Sequence, residues 1–336
     1  MRTWTEGHSG EVGGVQMKYT YNSHFADDIN SYLDLRQSLG NERDTFARRL
    51  HSFDVFCVSQ YPEERMLTRE IVESWCSLKT GEKQSTLLHR AGVLRGFAKY
   101  LNSLAKPTYI LPIGFSCSRR QTFIPYLYEA AELRKFFYGT DLLPPHKLSP
   151  NREIIVPVLF RILYCCGLRP QEVRWLKREH VNLNDGTLFI EQSKQNKDRV
   201  IAMSNDLNSL CRKYDSIMEK KLSNREYFFQ NPNGHAYSAT WIQQQFFKCW
   251  RTAGISFSKR KKPRVYDFRH AFALRVITNW MNEGKNVSAL LPYLSTYMGH
   301  ASIEQTSYYV HLVPEHFQYS NKTNWKCNLE VPDYED

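Results

Sequence analysis

The second half of the chain contains four short segments rich in residue types that can act on a phosphate group. They are GLRPQE at 167–172, SKQNKDR at 193–199, YDFRH at 266–270, and MGH at 298–300, which is followed nine residues later by Tyr309. Guanidinium groups bind phosphate oxygens through paired hydrogen bonds, lysine and histidine transfer protons, and a tyrosine oxygen can form a covalent intermediate. Together these residue types could break and remake a phosphate ester.

Each segment alone has an ordinary structural explanation. Arg169 and Glu172 have the i,i+3 spacing of a surface ion pair. Lys194 could be an ordinary lysine in a turn, and Tyr309 could simply pack in a hydrophobic core. The order, spacing and residue types of the four segments together are far more specific than any one of them.

In this combination the sequence resembles the tyrosine recombinase (phage integrase) family. The family's motifs read G-L-R-x-x-E, a lysine in a β-hairpin, H-x-x-R-H, and L-G-H followed by a tyrosine. The resemblance covers essentially residues 20–320. It implies a site-specific recombinase that cleaves and rejoins DNA strands through a 3′-phosphotyrosyl intermediate during integration or transposition of a mobile element. The layout favours a simple or transposon-encoded member.

The resemblance implies a role for each matching residue. Arg169 and Arg269 correspond to the arginine pair that clamps the phosphate oxygens, and His300 adds a hydrogen bond. Lys194 corresponds to the hairpin lysine that protonates the leaving 5′ oxygen as general acid, and Tyr309 corresponds to the nucleophile. Protein cations stabilise the charge in this scheme, so we expect neither a cofactor nor a metal.

The sequence departs from the family pattern at Tyr266, where the family usually has histidine. A phenol has a pKa of about 10 and is a poor base at neutral pH, although it can donate a hydrogen bond to a phosphate oxygen. His270 is a neighbour at a position that is usually structural in the family, and Glu172 is expected to orient the site from behind Arg169. The general base therefore stays unassigned.

The pattern of apolar residues predicts a mainly α fold with a small β-sheet (α+β). We expect a disordered tail at 1–16, a helical domain at 17–105, a linker at 106–124, and a second domain at 125–336. The resemblance implies that the helical domain is a core-binding (SAM-like) DNA-binding domain and that the second is the catalytic domain with a C-terminal segment. Only the short apolar runs Thr187–Ile190 and Arg199–Ala202 predict strands.

Local signals place some helix boundaries. Asn22 or Ser23 is a candidate N-cap of the first helix, and Thr68 is one for the third. A fourth helix has apolar residues at helical spacing: Leu87, Ala91, Leu94, Ala98 and Leu101. An apolar helix from Ile154 to Cys166 is expected to end at Gly167.

The charge balance predicts a polyanionic partner, and double-stranded DNA fits the resemblance. Lysine and arginine outnumber aspartate and glutamate by 45 to 34, a net charge of +11. A solvated basic face remains the alternative for any one group. The residues expected to contact backbone phosphates are Arg90, Arg95, Lys99, Lys259, Arg260, Lys261, Lys262 and Arg264.

Compartment and assembly are expected from composition and resemblance. The eight cysteines lack zinc-site spacing, and no apolar run approaches the ~20 residues of a membrane span. We therefore expect a cytoplasmic, nucleoid-associated bacterial protein without a membrane partner. The resemblance implies a homotetramer on DNA, joined through the C-terminal segment, and a monomer or weak dimer without DNA. It also allows action alongside related recombinases.

Two other functions remain open at this stage. A type IB topoisomerase-like or telomere-resolving enzyme would use similar chemistry, but the two-domain layout favours a recombinase. A DNA-binding paralogue without catalysis would be consistent with Tyr266, although the other catalytic positions are filled.

Overall fold

The chain divides into two compact units, residues 1–122 and 123–336. A computed structural model describes residues 19–41, 43–115, 125–193, 197–256 and 262–320, without the side chains at 192, 193, 197 and 314–320. The predicted tail at 1–16 lies outside the described residues. Each unit has a hydrophobic core of its own.

The described residues of the first unit form four helices around one core. They are α1 (Ala26–Ser38), α2 (Asp44–Gln60), α3 (Arg69–Trp75) and α4 (Gln84–Ser103). The apolar positions predicted for α4 are all buried, which confirms that helix and its orientation. The N-cap predicted at Thr68 is also confirmed, because its hydroxyl accepts from the amide of Ile71.

The predicted cap of α1 is wrong. The helix starts after Phe25 without a side-chain cap. The amides of Asn22 and Ser23 instead donate to the carboxylate of Asp54, which is buried on α2. A buried charge with several donors outcompetes the local capping geometry.

The predicted linker at 106–124 begins too early. Leu111 is 1% exposed in the core of the first unit, and the amide of Tyr109 donates to the carbonyl of Leu67. The guanidinium of Arg95 donates to the carbonyls of Leu111 and Pro112 at 2.8 and 3.0 Å. This part of the chain is therefore packed onto the first unit.

The second unit is mainly helical with one small sheet, which confirms the predicted fold class. Its helices are α5 (Ala130–Asp141), α6 (Arg152–Cys166), α7 (Pro170–Arg174), α8 (Asn205–Lys221), α9 (Ala239–Thr252), α10 (Asp267–Asn282), α11 (Val287–Met298) and α12 (Glu304–Ser320). The antiparallel sheet has the order β1 (Val181–Asn182), β2 (Thr187–Ser193) and β3 (Lys197–Ala202). Both predicted strands lie within longer ones, and β1 was not predicted.

Helix α6 crosses the centre of the second unit and determines where the first signature begins. It is buried on nearly every face because α5, α8 and α10 pack around it. It ends at Gly167, as predicted, with a φ of +61°. A Cβ at this position would lie 2.4 Å from the ring of Phe272, so only glycine fits the turn that leads to Arg169.

A smaller core joins α10, α11 and α12 and includes Tyr309. These three helices carry the last two signatures, so their packing brings residues far apart in sequence to one place. Within the described residues, no helix has the length and apolar character needed to span a membrane.

Candidate active site

Arg169 lies directly before α7, held in extended conformation by the turn at Gly167. Its guanidinium donates to Glu172 at 2.6 Å and to the carbonyl of Gly299, at the end of α11, at 2.5 Å. Its backbone amide donates to the other oxygen of Glu172 at 2.8 Å. The first and fourth signatures are therefore joined through one arginine side chain.

Arg269 lies in the first turn of α10 and is 1% exposed. Its guanidinium donates to the carbonyls of Gly167, at 2.8 Å, and of Met298. Burial and the nearby charge of Arg169 lower the pKa of Arg269 to about 10. Among the described residues its Nε is a buried donor without a hydrogen-bond partner. Two adjacent guanidiniums with one donor unsatisfied favour a bound anion.

Glu172 is the anionic centre behind the arginines. Besides Arg169, it accepts two hydrogen bonds from Arg199 on β3, at 3.0 and 2.7 Å. Arg199 also donates to the carbonyl of Tyr297 at 2.9 Å, so β3 is fastened to α7 and α11. Sequence reasoning had included Arg199 in the second signature but gave it no role. Its position at the start of a predicted strand, in the same signature as Lys194, could have indicated a role in the site.

His300 follows Gly299, which ends α11 with a φ of +64°. Its Nδ1 lies 2.7 Å from the hydroxyl of Thr306, a fully buried residue that sequence reasoning missed. Burial, then the charges of Arg269 and Arg169, lower the pKa of His300 to about 3. The imidazole is therefore neutral at physiological pH. When the threonine hydroxyl donates to Nδ1, Nε2 carries the proton and can donate to an anion.

Tyr309 lies on α12 and is 3% exposed, between two histidines. Its ring stacks on His300 with centroids 6.1 Å apart. Its hydroxyl lies 2.9 Å from Nδ1 of His270, the residue after Arg269. Burial raises the pKa of Tyr309 above its ordinary value, and the charge of Arg269 opposes that rise. The structure thus brings together six of the eight residues named from sequence for the site or its surroundings: Arg169, Glu172, Arg269, His270, His300 and Tyr309.

Tyr266 and His270 contact each other at the start of α10. Tyr266 is 39% exposed and directly precedes α10, with its ring edge-on to His270 at 5.2 Å between centroids. His270 is buried and contacts Tyr309. The histidine that contacts the tyrosine therefore lies at 270.

Several residues predicted to contact DNA have internal partners. Arg90 is 6% exposed, pairs with Glu82 at 2.9 Å, and its guanidinium lies over Trp75, so the prediction that its charge faces DNA is wrong. Arg95 donates to backbone carbonyls of its own unit. Arg264 is half exposed but pairs with Asp267.

The remaining basic residues are exposed or lie outside the described part of the chain. Lys99 and Lys262 are exposed. Lys194 falls outside the described residues, in the connection between β2 and β3, as do Lys259, Arg260 and Lys261. Across the described residues, no group of three or more histidine, cysteine, aspartate or glutamate side chains is arranged to hold a metal ion.

Comparisons with known proteins agree on one family. The chain matches the phage integrase family over residues 149–316. It is 31% identical to a putative integrase/recombinase, y4rE, of Sinorhizobium fredii, over 84% of this chain and 90% of that protein. It is 24% identical to transposase B from transposon Tn554 of Staphylococcus aureus, over 91% of this chain and 49% of that protein.

A solved structure shares the fold. The XerH site-specific recombinase bound to its palindromic difH substrate superposes with a TM-score of 0.61 at 20% identity, over 87% of this chain and 82% of that one. The family match spans half of the chain, and the Sinorhizobium relative aligns along most of both proteins. This protein therefore belongs to the phage integrase family of tyrosine recombinases, enzymes that cleave and rejoin DNA strands.

Proposed function

We propose that this protein is the site-specific recombinase of a mobile element and acts on double-stranded DNA through Tyr309. The observation that carries the proposal is the position of Tyr309 close enough to buried Arg269 and half-buried Arg169 to feel both charges. Two guanidiniums whose remaining partners are mostly carbonyls form a positive site suited to one phosphate group. The name of the Tn554 relative supports a role in transposition.

The proposed chemistry is an in-line displacement at phosphorus. The oxygen of Tyr309 forms a bond to the scissile phosphorus, and the bond from phosphorus to the 5′ oxygen breaks. Arg169 and Arg269 would stabilise the negative charge that accumulates on the non-bridging oxygens, and the Nε2–H of His300 would add a hydrogen bond. The resulting 3′-phosphotyrosine retains the energy of the broken ester, so religation needs no nucleotide cofactor.

Lys194 completes the proposal as general acid for the leaving 5′ oxygen. In the sequence Lys194 lies between β2 and β3, and Arg199 on β3 is paired with Glu172. Strand β3 is therefore anchored to α7, the helix that Arg169 directly precedes. Lys194 would reach the site when DNA is bound.

Assembly and DNA contacts follow from the same function. Exchange of two DNA duplexes requires several nucleophiles, so we propose a homotetramer on DNA and a monomer or weak dimer without it. Related recombinases could supply some of the protomers. Lys99 and Lys262, which are exposed, remain candidates for backbone phosphates, and binding through them should weaken with salt. Such an enzyme would act on the bacterial nucleoid.

A covalent capture experiment tests this function and identifies the DNA site at the same time. The full chain is incubated with labelled duplexes that carry a randomised central region, the reaction is stopped with denaturant, and protein-linked strands are isolated and sequenced. Wild type and Tyr308→Phe should both give covalent adducts that converge on one sequence, whereas Tyr309→Phe should give none.

Two results would contradict the proposal. An adduct that persists in Tyr309→Phe would move the nucleophile elsewhere. Wild-type protein that retains a specific DNA but never becomes linked to it would favour the DNA-binding paralogue instead.

A further inference from the structure

The residue that accepts the proton of Tyr309 is not given by the family resemblance, because position 266 holds a phenol. Tyr266 is a partly exposed residue whose ring packs edge-on against His270. A phenol ordinarily has a pKa of about 10, so phenols are protonated near neutral pH and are then poor proton acceptors. The acceptor has to be sought among the groups within hydrogen-bond distance of the Tyr309 hydroxyl.

His270 satisfies this distance. Its Nδ1 lies 2.9 Å from the Tyr309 oxygen, within the usual range for a hydrogen bond, and both side chains are buried. The contact joins residues 39 positions apart, on α10 and α12, which pack together in one core. Because His270 directly follows Arg269, one turn of α10 presents a phosphate ligand and a proton acceptor to the same site.

His300, the other histidine beside Tyr309, is less suited to this task. It stacks on the tyrosine ring, and its Nδ1 is engaged by Thr306. Burial and the charges of two arginines hold the pKa of His300 low, so this imidazole stays neutral down to acidic pH and is disfavoured as a proton acceptor. A neutral imidazole that holds its Nε2 proton is suited to donate to the phosphate, whereas the contact of His270 is with the nucleophile itself.

We propose that Nδ1 of His270 is the general base that removes the proton from Tyr309 as the tyrosine oxygen attacks phosphorus. The inference rests on the proposed function. The O–H bond of Tyr309 breaks, its proton moves to Nδ1, and its oxygen bonds to phosphorus while the 5′ oxygen leaves with a proton from Lys194. In religation the 5′ hydroxyl attacks, Lys194 takes its proton back, and His270 returns the proton to the tyrosine oxygen.

This assignment gives Tyr266 a positioning role. Its ring lies against one edge of the imidazole, and the hydroxyl of Tyr309 meets that imidazole at Nδ1. An aromatic ring at 266 can restrict rotation of His270 and so keep Nδ1 directed at the nucleophile. Phenylalanine at 266 should therefore retain most of the cleavage rate, whereas alanine should reduce it.

The first arm of the test needs no DNA. In full-length protein with ¹⁵N-labelled histidine, the resonances of His270 are identified by their loss in His270→Asn. The proposal expects a neutral ring with the proton on Nε2, and an unprotonated Nδ1 whose resonance shifts in Tyr309→Phe. A proton on Nδ1 in the free protein, donated to the tyrosine oxygen, would overturn the proposal.

The second arm measures cleavage on the DNA site recovered by covalent capture. Asparagine at 270 keeps an acceptor near the place of Nδ1 but is not basic, so His270→Asn should slow cleavage on the order of 10²–10⁴-fold. His146→Asn, at an exposed loop position, serves as the matched control and should cleave like wild type. A thermal unfolding profile of each variant establishes that it is folded.

A modified substrate separates base from acid. When sulfur replaces the bridging 5′ oxygen, the leaving thiolate needs little protonation, since thiols have a pKa of about 8.5. This substrate should restore cleavage by Lys194→Ala but not by His270→Asn. Equal rescue of both variants, or a folded His270→Asn that cleaves the natural site at the wild-type rate, would refute the base role alone. Absence of cleavage by wild type would refute the proposed function itself.

Discussion

Replacing Glu172 with glutamine should destabilise the second unit by about 3–5 kcal/mol, as expected when one partner of a buried ion pair is removed. The side chain is 6% exposed and accepts four hydrogen bonds from Arg169 and Arg199. Burial alone would raise the pKa of Glu172, but the hydrogen bonds and charges of these arginines outweigh it and lower the pKa. The amide keeps the shape and leaves two guanidiniums without their counter-charge.

The expected change is large enough to measure by thermal unfolding of the full chain. In a unit of about 200 residues each kcal/mol shifts Tm by about 2–4 °C, so the transition of the second unit should fall by about 6–20 °C. Glu179→Gln is the matched control, since that side chain is 72% exposed and faces Lys177 at 3.7 Å. The control should change stability by no more than about 0.5 kcal/mol.

An added anion provides a second readout for the same variant. The unpaired arginines of Glu172→Gln should bind sulfate more tightly than those of wild type, so sulfate should raise the Tm of the variant more. A loss of stability no larger than that of Glu179→Gln would show that the arginines are held by their backbone carbonyl partners alone. The account of Glu172 as the counter-charge would then be wrong.

Three further predictions concern stability and binding. Gly167→Ala should lower the free energy of unfolding, measured in urea, by about 2–5 kcal/mol, because a Cβ is disfavoured at positive φ and would also clash with the ring of Phe272. Gly284→Ala is the control: it has a φ of +67° but open space around it, so the loss should be only about 1–2 kcal/mol. The pKa of His300 is about 3 in the folded protein and 6.5 in the unfolded chain, so between these pH values the unfolded chain binds an extra proton. Acidification through this range should therefore reduce the stability of wild type more steeply than that of His300→Gln. Equal pH dependence of the two proteins would contradict this. Arg90→Ala should lower the free energy of unfolding by about 3–5 kcal/mol and leave the salt dependence of DNA binding unchanged. Lys99→Ala should leave stability unchanged and reduce the slope of log binding constant against log salt concentration by about 0.9. The reverse pattern would refute the argument that Arg90 is buried and Lys99 exposed.

Local pattern was sufficient for the helices and for the residue types of the site. The spacing of apolar residues in α4 and the glycine after α6 are short-range signals, and both predictions are confirmed. The signatures around Arg169, Arg269 and Tyr309 could be recognised from their order, spacing and residue types, through the resemblance to the family. Helical periodicity and the glycine at a helix end depend only on residues close together in the sequence, so they can be read from the sequence alone.

Contacts between distant segments could not be predicted in this way. The hydrogen bond between Tyr309 and His270 depends on how α10 packs against α12, and no spacing within either helix reveals it. Arg90 has the spacing of an exposed basic face, yet Glu82 and the ring of Trp75 enclose it. Asp54 likewise displaced the expected cap of α1, because a buried carboxylate attracts donors from another segment.

Main-chain carbonyls accept most of the hydrogen bonds that orient the guanidiniums of Arg169 and Arg269. The guanidiniums of Arg169 and Arg269 are anchored by the carbonyls of Gly167, Met298 and Gly299. Every amino acid supplies a carbonyl, so the side chain at 298 can be exchanged for another apolar one without loss of that anchorage, whereas the two glycines are fixed by their positive φ. The orientation of the two arginine side chains therefore depends on the path of the main chain. Substitutions of the surrounding side chains can therefore accumulate while these three carbonyls continue to hold the two guanidiniums in place.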